Sequence, residues 1–266
     1  MYCITIFDDH YQKIKNLEYI PVGLGENITL NNFVTDKTGI NISKKNPYYG
    51  EYTFHYWLWK NNNIEKKNDW IGFCQYRKFW LKDEIINASV GKDNFKKDLL
   101  KEIPIELNNY ESILGEPFYI NQFKLMKFIK KDLSKFVRNP SLLFDKNKRN
   151  IKFHFDLMHG DGNLDKAIKL LDDPDRKDFS EFVNREVSFN PHNMFICKNY
   201  KILEKYYNAV FPWLERCEAE FGFDLEGYGL KRIYGFLAER YMSFWFQKYT
   251  KYKTLPIVFK DISEIN

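Results

Sequence analysis

Hydrophobic residues in this chain form short unbroken runs separated by longer stripes with helical spacing. Residues 70–74 are an apolar run without period-2 alternation, which indicates a strand covered on both faces in the middle of a sheet. Runs of the same kind predict further strands at 2–7, 19–25, 110–114, 118–120, 187–189 and 194–197. Longer periodic stretches predict helices at 48–60, 88–102, 121–136, 164–171, 201–221 and 230–249. This order predicts an α/β fold with a mixed, mostly parallel central sheet, flanking helices and a helical C-terminal part.

The central strand ends in a group of polar side chains. Gln75, Tyr76, Arg77 and Lys78 follow the apolar run directly, at the edge where open α/β sheets hold their ligands. A guanidinium group beside an ammonium group suits a phosphate or a diphosphate. The alternative is that Arg77 and Lys78 are only a solvated strand end.

Several polar residues elsewhere are candidates for the same pocket, each with a structural alternative. Asp8 follows the first strand, where it either accepts hydrogen bonds from a ligand or shapes a turn. Asn46 before Pro47 has the pattern of a helix N-cap, and Glu51 lies one helical turn before His55, with which it can pair. The remaining candidates are Asn41, in a polar loop, and His192 and Asn193, between two strands.

Residues 154–165 hold the densest group of possible acids and bases. His159 and Asp161 lie in a loop that precedes the helix at 164–171, so they predict a general base or a metal ligand. The alternative is that Asp161 only shapes the turn while His159 is half exposed. The Asp-x-Asp pattern within 172–175 lies in a run of mixed charges, which favours a solvated loop over a cation site.

The last helix carries three further charged candidates. Arg240 falls on the apolar stripe, so we expect it to be buried and to need a carboxylate partner. Arg232 and Glu239 lie seven residues apart on another face, either as a donor-binding cation and a base or as exposed charges.

Composition narrows the class of protein. Aromatic residues make up 18% of the chain, and 41 Lys and Arg against 36 Asp and Glu give a net charge of +5, too small for a nucleic-acid signature. The four cysteines form no CxxC pair, so we interpret them as reduced thiols. The sequence has neither a signal-peptide pattern nor an apolar stretch of the roughly 18 to 20 residues needed to span a bilayer. These features predict a cytoplasmic protein, and peripheral contact with the inner face of the membrane stays open.

Six segments together resemble the DUF4422 family. They are Tyr-Ile-Pro-Val-Gly at 19–23, Asp-Lys-Thr-Gly-Ile-Asn-Ile-Ser at 36–43, Asn-Pro-Tyr-Tyr-Gly-Glu at 46–51, Trp-Ile-Gly-Phe-Cys-Gln-Tyr-Arg-Lys at 70–78, Asn-Met-Phe-Ile at 193–196 and Arg-Ile-Tyr-Gly-Phe-Leu-Ala-Glu-Arg at 232–240. The family comprises bacterial proteins of capsule and lipopolysaccharide clusters, regarded as glycosyltransferases, with galactofuranosyltransferase-like members. Gln75 stands where the family usually has His, and the segment around His159 matches only at His159 and at Leu164-Asp165.

The resemblance implies a GT-A-like domain over 1–255, with a nucleotide-sugar half at about 1–120, an acceptor half at about 121–255 and a tail at 256–266. It implies transfer of a sugar from a nucleoside diphosphate, such as UDP-galactofuranose, to a glycan or lipid-linked glycan. Gln75, Tyr76, Arg77, Lys78 and Arg232 would bind the donor, with Asp161, His159 or Glu239 as the base. Mn²⁺ or Mg²⁺ as cofactor is left open. The alternatives are a non-catalytic glycan-binding subunit and, less in keeping with the charge, a nucleic-acid-binding protein.

Overall fold

The computed structural model describes residues 1–61, 64, 69–82 and 95–265. The chain divides into two compact units, each built from separate stretches of sequence. Unit 1 comprises Met1–Glu116, His192–Ala209 and Trp245–Asn266, and unit 2 comprises Pro117–Pro191 and Val210–Phe244. The predicted halves were continuous in sequence, whereas the two units alternate along the chain.

Eleven strands occur among the described residues. They are β1 (Tyr2–Thr5), β2 (Ile20–Gly23), β3 (Val34–Thr35), β4 (Ile71–Gln75), β5 (Lys78–Trp80), β6 (Ser112–Gly115), β7 (Phe118–Tyr119), β8 (Ser188–Phe189), β9 (Phe195–Cys197), β10 (Tyr252–Leu255) and β11 (Ile257–Phe259).

Thirteen α-helices occur in the same part of the chain. They are α1 (His10–Asn16), α2 (Asn46–Tyr49), α3 (Tyr52–Asn61), α4 (Phe95–Asp98), α5 (Leu125–Lys131), α6 (Leu133–Arg138), α7 (Ser141–Phe144), α8 (Ile151–His159), α9 (Asn163–Lys169), α10 (Asp175–Arg185), α11 (Tyr200–Phe221), α12 (Tyr228–Lys231) and α13 (Ile233–Tyr249).

Unit 1 is organised around a mixed sheet of nine of the described strands. Its main path runs β10, β6, β9, β4, β1, β2, β3, and four of the six neighbouring pairs on that path are parallel. β4 lies in the middle, as the apolar run predicts, and its residues from Ile71 to Cys74 are buried. The predicted α/β class with a mostly parallel central sheet is therefore confirmed.

Aromatic side chains pack helix α3 against this sheet. The ring of Phe54 lies 5.5 Å from Tyr2 of β1, and His55 lies 4.5 Å from Phe73 of β4. The predicted burial of this aromatic helix is confirmed, since Tyr52, Phe54 and His55 are all fully buried. All four cysteines are buried free thiols, in keeping with their apolar contexts.

The C-terminal segment belongs to the sheet of unit 1. β10 pairs in parallel with β6, and β11 pairs antiparallel with β5, with Phe259 opposite Lys78. Residues 256–266 were predicted to be a tail, and this is wrong because β11 satisfies the open edge of β5. The sequence did not predict β10, because this strand begins within a stretch rich in basic residues at 248–253.

Several helix boundaries also differ from the prediction. Lys45, not Asn46, occupies the N-cap position of α2, and Gly50, with φ of 58°, ends α2 before α3 begins. The helix expected over 121–136 is divided at Asp132, whose carboxylate caps α6 by accepting from the Ser134 amide. Of the helix expected over 88–102, residues 88–94 lie outside the described residues, and α4 begins at Phe95.

Unit 2 is built mainly from helices. α8 contacts α9 and α10, and the two-stranded pair β7 and β8 is antiparallel. The indole of Trp213 donates to the Ala167 carbonyl at 2.7 Å, which ties α11 to α9. Pro212 does not divide α11, which runs as one helix of 22 residues.

No helix within the described residues has both the length and the apolar character that crossing a bilayer requires.

Candidate functional site

The carboxyl end of β4 carries a network of hydrogen bonds centred on Gln75. The Gln75 side-chain amide donates to the His192 carbonyl at 2.8 Å and to Glu51 Oε1 at 3.3 Å. Its own oxygen accepts from Lys78 Nζ at 3.1 Å. The amide therefore links a carboxylate to an ammonium group and fixes the positions of both. We name Glu51, Gln75, Lys78, His192 and Asn193 the strand-end network.

Glu51 enters this network because of the break between α2 and α3. Gly50 adopts a backbone conformation that favours glycine, and the chain then presents Glu51 at the start of α3. Asn193 Nδ2 also donates to Glu51 Oε1, at 2.8 Å, so two side-chain amides orient the same carboxylate oxygen. The predicted pairing of Glu51 with His55 is wrong, because His55 Nδ1 pairs with the Tyr207 hydroxyl at 2.7 Å, and His55 Nε2 has no hydrogen-bond partner among the described residues.

The backbone at 192–193 is strained. His192 and Asn193 both have positive φ, 78° and 53°, which costs on the order of 1 kcal/mol or more for each non-glycine residue. This turn directs the His192 carbonyl towards Gln75 and places the His192 ring edge-on against Phe259, with centroids 4.9 Å apart. Burial, together with the charge of Lys78, lowers the pKa of His192 to about 3, so its imidazole is neutral at physiological pH.

The two adjacent cations, Arg77 and Lys78, have different partners. Tyr76 and Arg77 form the turn between β4 and β5, and Lys78 begins β5 opposite Gln75. Lys78 is half-buried, with Nζ 5.8 Å from the centre of the Phe259 ring in addition to its bond to Gln75. Arg77 is exposed, and its Nε donates to Asp261 Oδ2 at 2.7 Å. The structure therefore divides the expected pair of cations between two environments.

Asp261 is a site residue that the sequence did not reveal. Burial acts to raise its pKa, but the hydrogen bond from Arg77 and those from Ser263 outweigh burial and hold the pKa at about 2. The carboxylate is consequently charged and keeps the Arg77 side chain at the end of the hairpin. Its only signal in the sequence was the short apolar piece that precedes it, Leu255 to Phe259.

An aromatic group borders the turn. The Tyr76 ring lies 5.5 Å from Phe7 and 5.1 Å from His10. His10 is buried and fixed on both ring nitrogens, by Thr5 Oγ1 at 2.8 Å and Ser263 Oγ at 2.9 Å. Desolvation lowers the pKa of His10. This group adds His10, which the sequence did not single out, to the surroundings of Tyr76.

Three other candidates of unit 1 shape loops. Asp8 accepts from the backbone amides of Thr29 and Leu30, and its hydrogen bonds with Thr29 lower its pKa. Asn41 closes a short turn by accepting from the Ser43 amide at 3.2 Å. Asn46 was predicted to be an N-cap, but its amide instead donates to the Gly50 carbonyl at 3.0 Å and helps to close the break before Glu51.

In unit 2, His159 and Asp161 do not act as a pair. His159 is the last residue of α8, is buried and stacks on Phe236 at 4.1 Å, with Nδ1 3.0 Å from the Gly229 carbonyl oxygen. The half-exposed position considered for it is therefore wrong. Burial, and then the charge of Arg240, lower the pKa of His159 to about 2. Asp161 is exposed and forms an ion pair with Lys135.

Glu239 and Arg240 form a buried ion pair in unit 2. Arg240 is 2% exposed, lies 4.2 Å from the centre of the Phe189 ring, and has Nη2 3.2 Å from His154 Nδ1. The prediction that Arg240 is buried and needs a carboxylate is confirmed, and the description of Glu239 as an exposed charge is wrong. Arg232 instead lies over Tyr228, with its guanidinium carbon 5.6 Å from the ring centre.

In the segment 172–175, which contains the Asp-x-Asp pattern, carboxylates form an ion pair and a hydrogen bond with other side chains. Asp172 forms an ion pair with Arg216 at 2.9 Å, and Asp175 begins α10 and accepts from the Tyr241 hydroxyl at 2.6 Å. Across the described residues, no three His, Cys, Asp or Glu side chains are grouped so as to hold a metal ion.

A cavity of about 250 Å³ in unit 1 lies at the other edge of the sheet from the strand-end network. It is lined by Glu111, Ile202, Lys205, Trp245, Tyr249 and Thr250. Glu111 precedes β6, so this cavity is at the amino end of a strand, whereas the network is at the carboxyl end of β4. We place the candidate site at the network because its charged and neutral polar groups converge there.

Comparison with known proteins gives a family and a fold. The family model for DUF4422, a domain of unknown function, matches residues 3–251. Among solved structures, the apo structure of the WbbM bifunctional glycosyltransferase superposes with a TM-score of 0.72 at 20% sequence identity. The match covers 97% of this chain and 44% of the WbbM chain, so this chain spans less than half of that protein. No curated protein sequence matches the chain.

Proposed function

Because this chain belongs to the DUF4422 family and has the fold of part of a bifunctional glycosyltransferase, we propose that it is itself a glycosyltransferase. It transfers a sugar from a nucleoside diphosphate, a UDP-sugar such as UDP-galactofuranose, to a glycan or lipid-linked glycan of a bacterial surface polysaccharide. The observation that carries the proposal is the strand-end network. It joins a lysine, a carboxylate and the backbone carbonyl of His192 at the sheet edge where α/β folds bind ligands.

The chemistry requires stabilisation of a leaving group. The bond between the anomeric carbon and the diphosphate oxygen breaks, its electron pair leaves with the nucleoside diphosphate, and an acceptor oxygen bonds to the anomeric carbon. Lys78, the cation of the strand-end network, neutralises the departing diphosphate. Arg77 contributes through its guanidinium group, whose Nε is already bonded to Asp261. Titration with Mn²⁺, Mg²⁺ and EDTA establishes whether a divalent cation adds to this charge.

The acceptor hydroxyl must lose a proton. We assign this role to Glu51, because two amide groups hold its carboxylate within the network that also contains Lys78. The candidates of unit 2 are less suited to it. The pKa of His159, about 2, leaves little basicity, and Asp161 and Glu239 each carry an ion pair.

The test is turnover with a panel of nucleotide sugars, with and without divalent cations, detected as release of the nucleoside diphosphate. We expect release with a UDP-sugar, stimulated by a glycan acceptor and abolished in a Lys78→Met variant. A non-catalytic glycan-binding subunit is the second candidate, favoured by Gln75, which stands in the position where the family usually has His. Tight binding of nucleotide sugars or glycans without any release would support that candidate and contradict ours.

A further inference from the structure

Three consecutive short helices of unit 2 expose large apolar side chains. The exposed fractions are 59% for Met126 on α5, 60% and 70% for Leu133 and Val137 on α6, and 86% for Phe144 on α7. Exposed apolar residues are ordinary when scattered singly, but here four lie within 19 positions, so this segment concentrates exposed apolar surface. We name these four side chains and the exposed basic residues between 124 and 148 the α5–α7 face.

Each of the helices α5, α6 and α7 is already packed against the protein by a buried side chain. α5, α6 and α7 contact one another in succession, and each buries one side chain, Phe128, Phe136 and Leu142 respectively. Leu133 and Val137 are four residues apart and therefore lie on the same exposed side of α6. Each helix thus has a buried side and an apolar side in solvent.

The same segment concentrates positive charge. Between 124 and 149 the chain has nine Lys or Arg against two Asp, a net charge of +7, whereas the whole chain carries +5. Both acids are used locally, because Asp132 and Asp145 accept from the backbone amides of Ser134 and Asn147. At the end of the segment, the guanidinium Nε of buried Arg149 has no hydrogen-bond partner in the described part of the chain.

We propose that the α5–α7 face docks on an anionic phospholipid surface. Clustered lysines attract such a surface, and apolar tips between them enter the headgroup region, about 5–10 Å deep in comparable amphipathic helices. A nucleic acid would use the charge but would leave the aliphatic side chains of Met126, Leu133 and Val137 in water. A lipid surface satisfies both features, and it would hold the enzyme beside a lipid-linked acceptor. The link to that acceptor rests on the proposed function, whereas the docking itself does not.

Binding of the full chain to sedimentable vesicles tests the proposal without any substrate. The vesicles contain phosphatidylcholine alone or with about 30% phosphatidylglycerol, at low salt and at about 0.5 M salt, where the Debye length falls below about 5 Å. Two variants alter the face, and two alter matched exposed positions elsewhere. The face variants are Val137→Ser with Phe144→Ser, and Lys127→Gln with Lys130→Gln and Lys131→Gln. The controls are Ile105→Ser, at 82% exposure, and Lys166→Gln with Lys169→Gln and Lys177→Gln.

The expected results separate the two contributions. Wild type and both controls bind the anionic vesicles and bind neutral vesicles only weakly. The triple lysine variant loses about 100-fold in partitioning, since each basic residue near the surface contributes about fivefold. The apolar variant loses at least about tenfold at either salt concentration. Circular dichroism and UDP binding check that each variant is folded.

Two outcomes overturn the proposal. In one, wild type fails to bind anionic vesicles, or the controls lose as much binding as the face variants. In the other, the face variants abolish self-association in sedimentation velocity, or binding to an oligonucleotide, while vesicle binding is unchanged. Neither outcome affects nucleotide release, so failure here is distinguishable from failure of the proposed function.

Discussion

Lys78 and Arg77 are neighbours in sequence, yet the structure predicts unequal effects when each charge is removed. Lys78 is half-buried, and its ammonium group already donates to Gln75 inside the network. Arg77 has a side chain that is 60% exposed and an acidic partner, Asp261. Methionine at either position keeps most of the aliphatic stem and removes only the charged group. The two variants therefore compare the same loss in two environments.

The size of the Lys78 effect follows from a charge-assisted hydrogen bond. Such a bond contributes about 1.5–3 kcal/mol, which corresponds to about 10- to 150-fold in the dissociation constant for UDP. For Lys78→Met we expect a loss within this range. For Arg77→Met we expect a loss of less than about fivefold, because solvent screens the exposed side chain.

Isothermal titration calorimetry with UDP at constant ionic strength measures both dissociation constants. Lys82→Met is the control, since Lys82 is exposed just beyond β5 and donates to the Lys97 carbonyl. Its UDP affinity should equal that of wild type. Equal losses for Lys78→Met and Arg77→Met, or no loss for Lys78→Met, would refute the assignment of the diphosphate to the strand-end network.

Four further predictions follow. Glu51→Gln should lower kcat by about 100-fold or more while leaving the UDP dissociation constant within threefold, because it removes the proton acceptor and keeps the shape; a proportional loss of UDP affinity in calorimetry would instead make Glu51 a donor ligand. Gly50→Ala should lower the free energy of unfolding by about 1–3 kcal/mol in urea melts, since φ is 58° and ψ is −134° there, and an unchanged midpoint would show that the break relaxes. Glu239→Leu should cost about 3 kcal/mol by leaving the Arg240 charge buried alone, and adding Arg240→Met should recover most of it; full additivity of the two losses would contradict the pairing. Acidification from pH 7 to pH 5 should lower the free energy of unfolding, because burial lowers the pKa of His55 to about 3 and the unfolded chain binds a proton from about pH 6.5 downwards that the folded chain does not; urea midpoints at several pH values, with His55→Gln reducing the slope, measure this effect, and a flat profile would refute it.

The sequence was most informative where a single element carries the signal. β4 was predicted from five apolar residues, and α11 and the stripe of α13 from their helical period. These elements are long or fully buried, so local pattern and tertiary packing favour the same structure. β10 and β11 were missed because they follow a basic stretch and span Pro256, and pairing with β6 and β5 is what makes them strands.

The candidate site was predictable in part for a similar reason. Its position at the end of β4 follows from strand topology, which the apolar runs reveal. Its partners do not, because Gln75 meets Glu51 and His192 across 24 and 117 residues of chain. His159 illustrates the opposite error, in which a polar residue in a glycine-rich loop suggested exposure. Stacking on Phe236, distant in sequence, buries it.

Because the last stretch of unit 1 completes its sheet, the order of synthesis constrains how the protein matures. β5, Arg77 and His10 each acquire a partner from residues 257–263. On a ribosome, those residues emerge only after all of unit 2 has been made. We therefore expect nascent chains halted before residue 257 to leave β5 exposed and to depend on chaperones, and the surroundings of Arg77 and His10 to form only after translation of unit 1 ends.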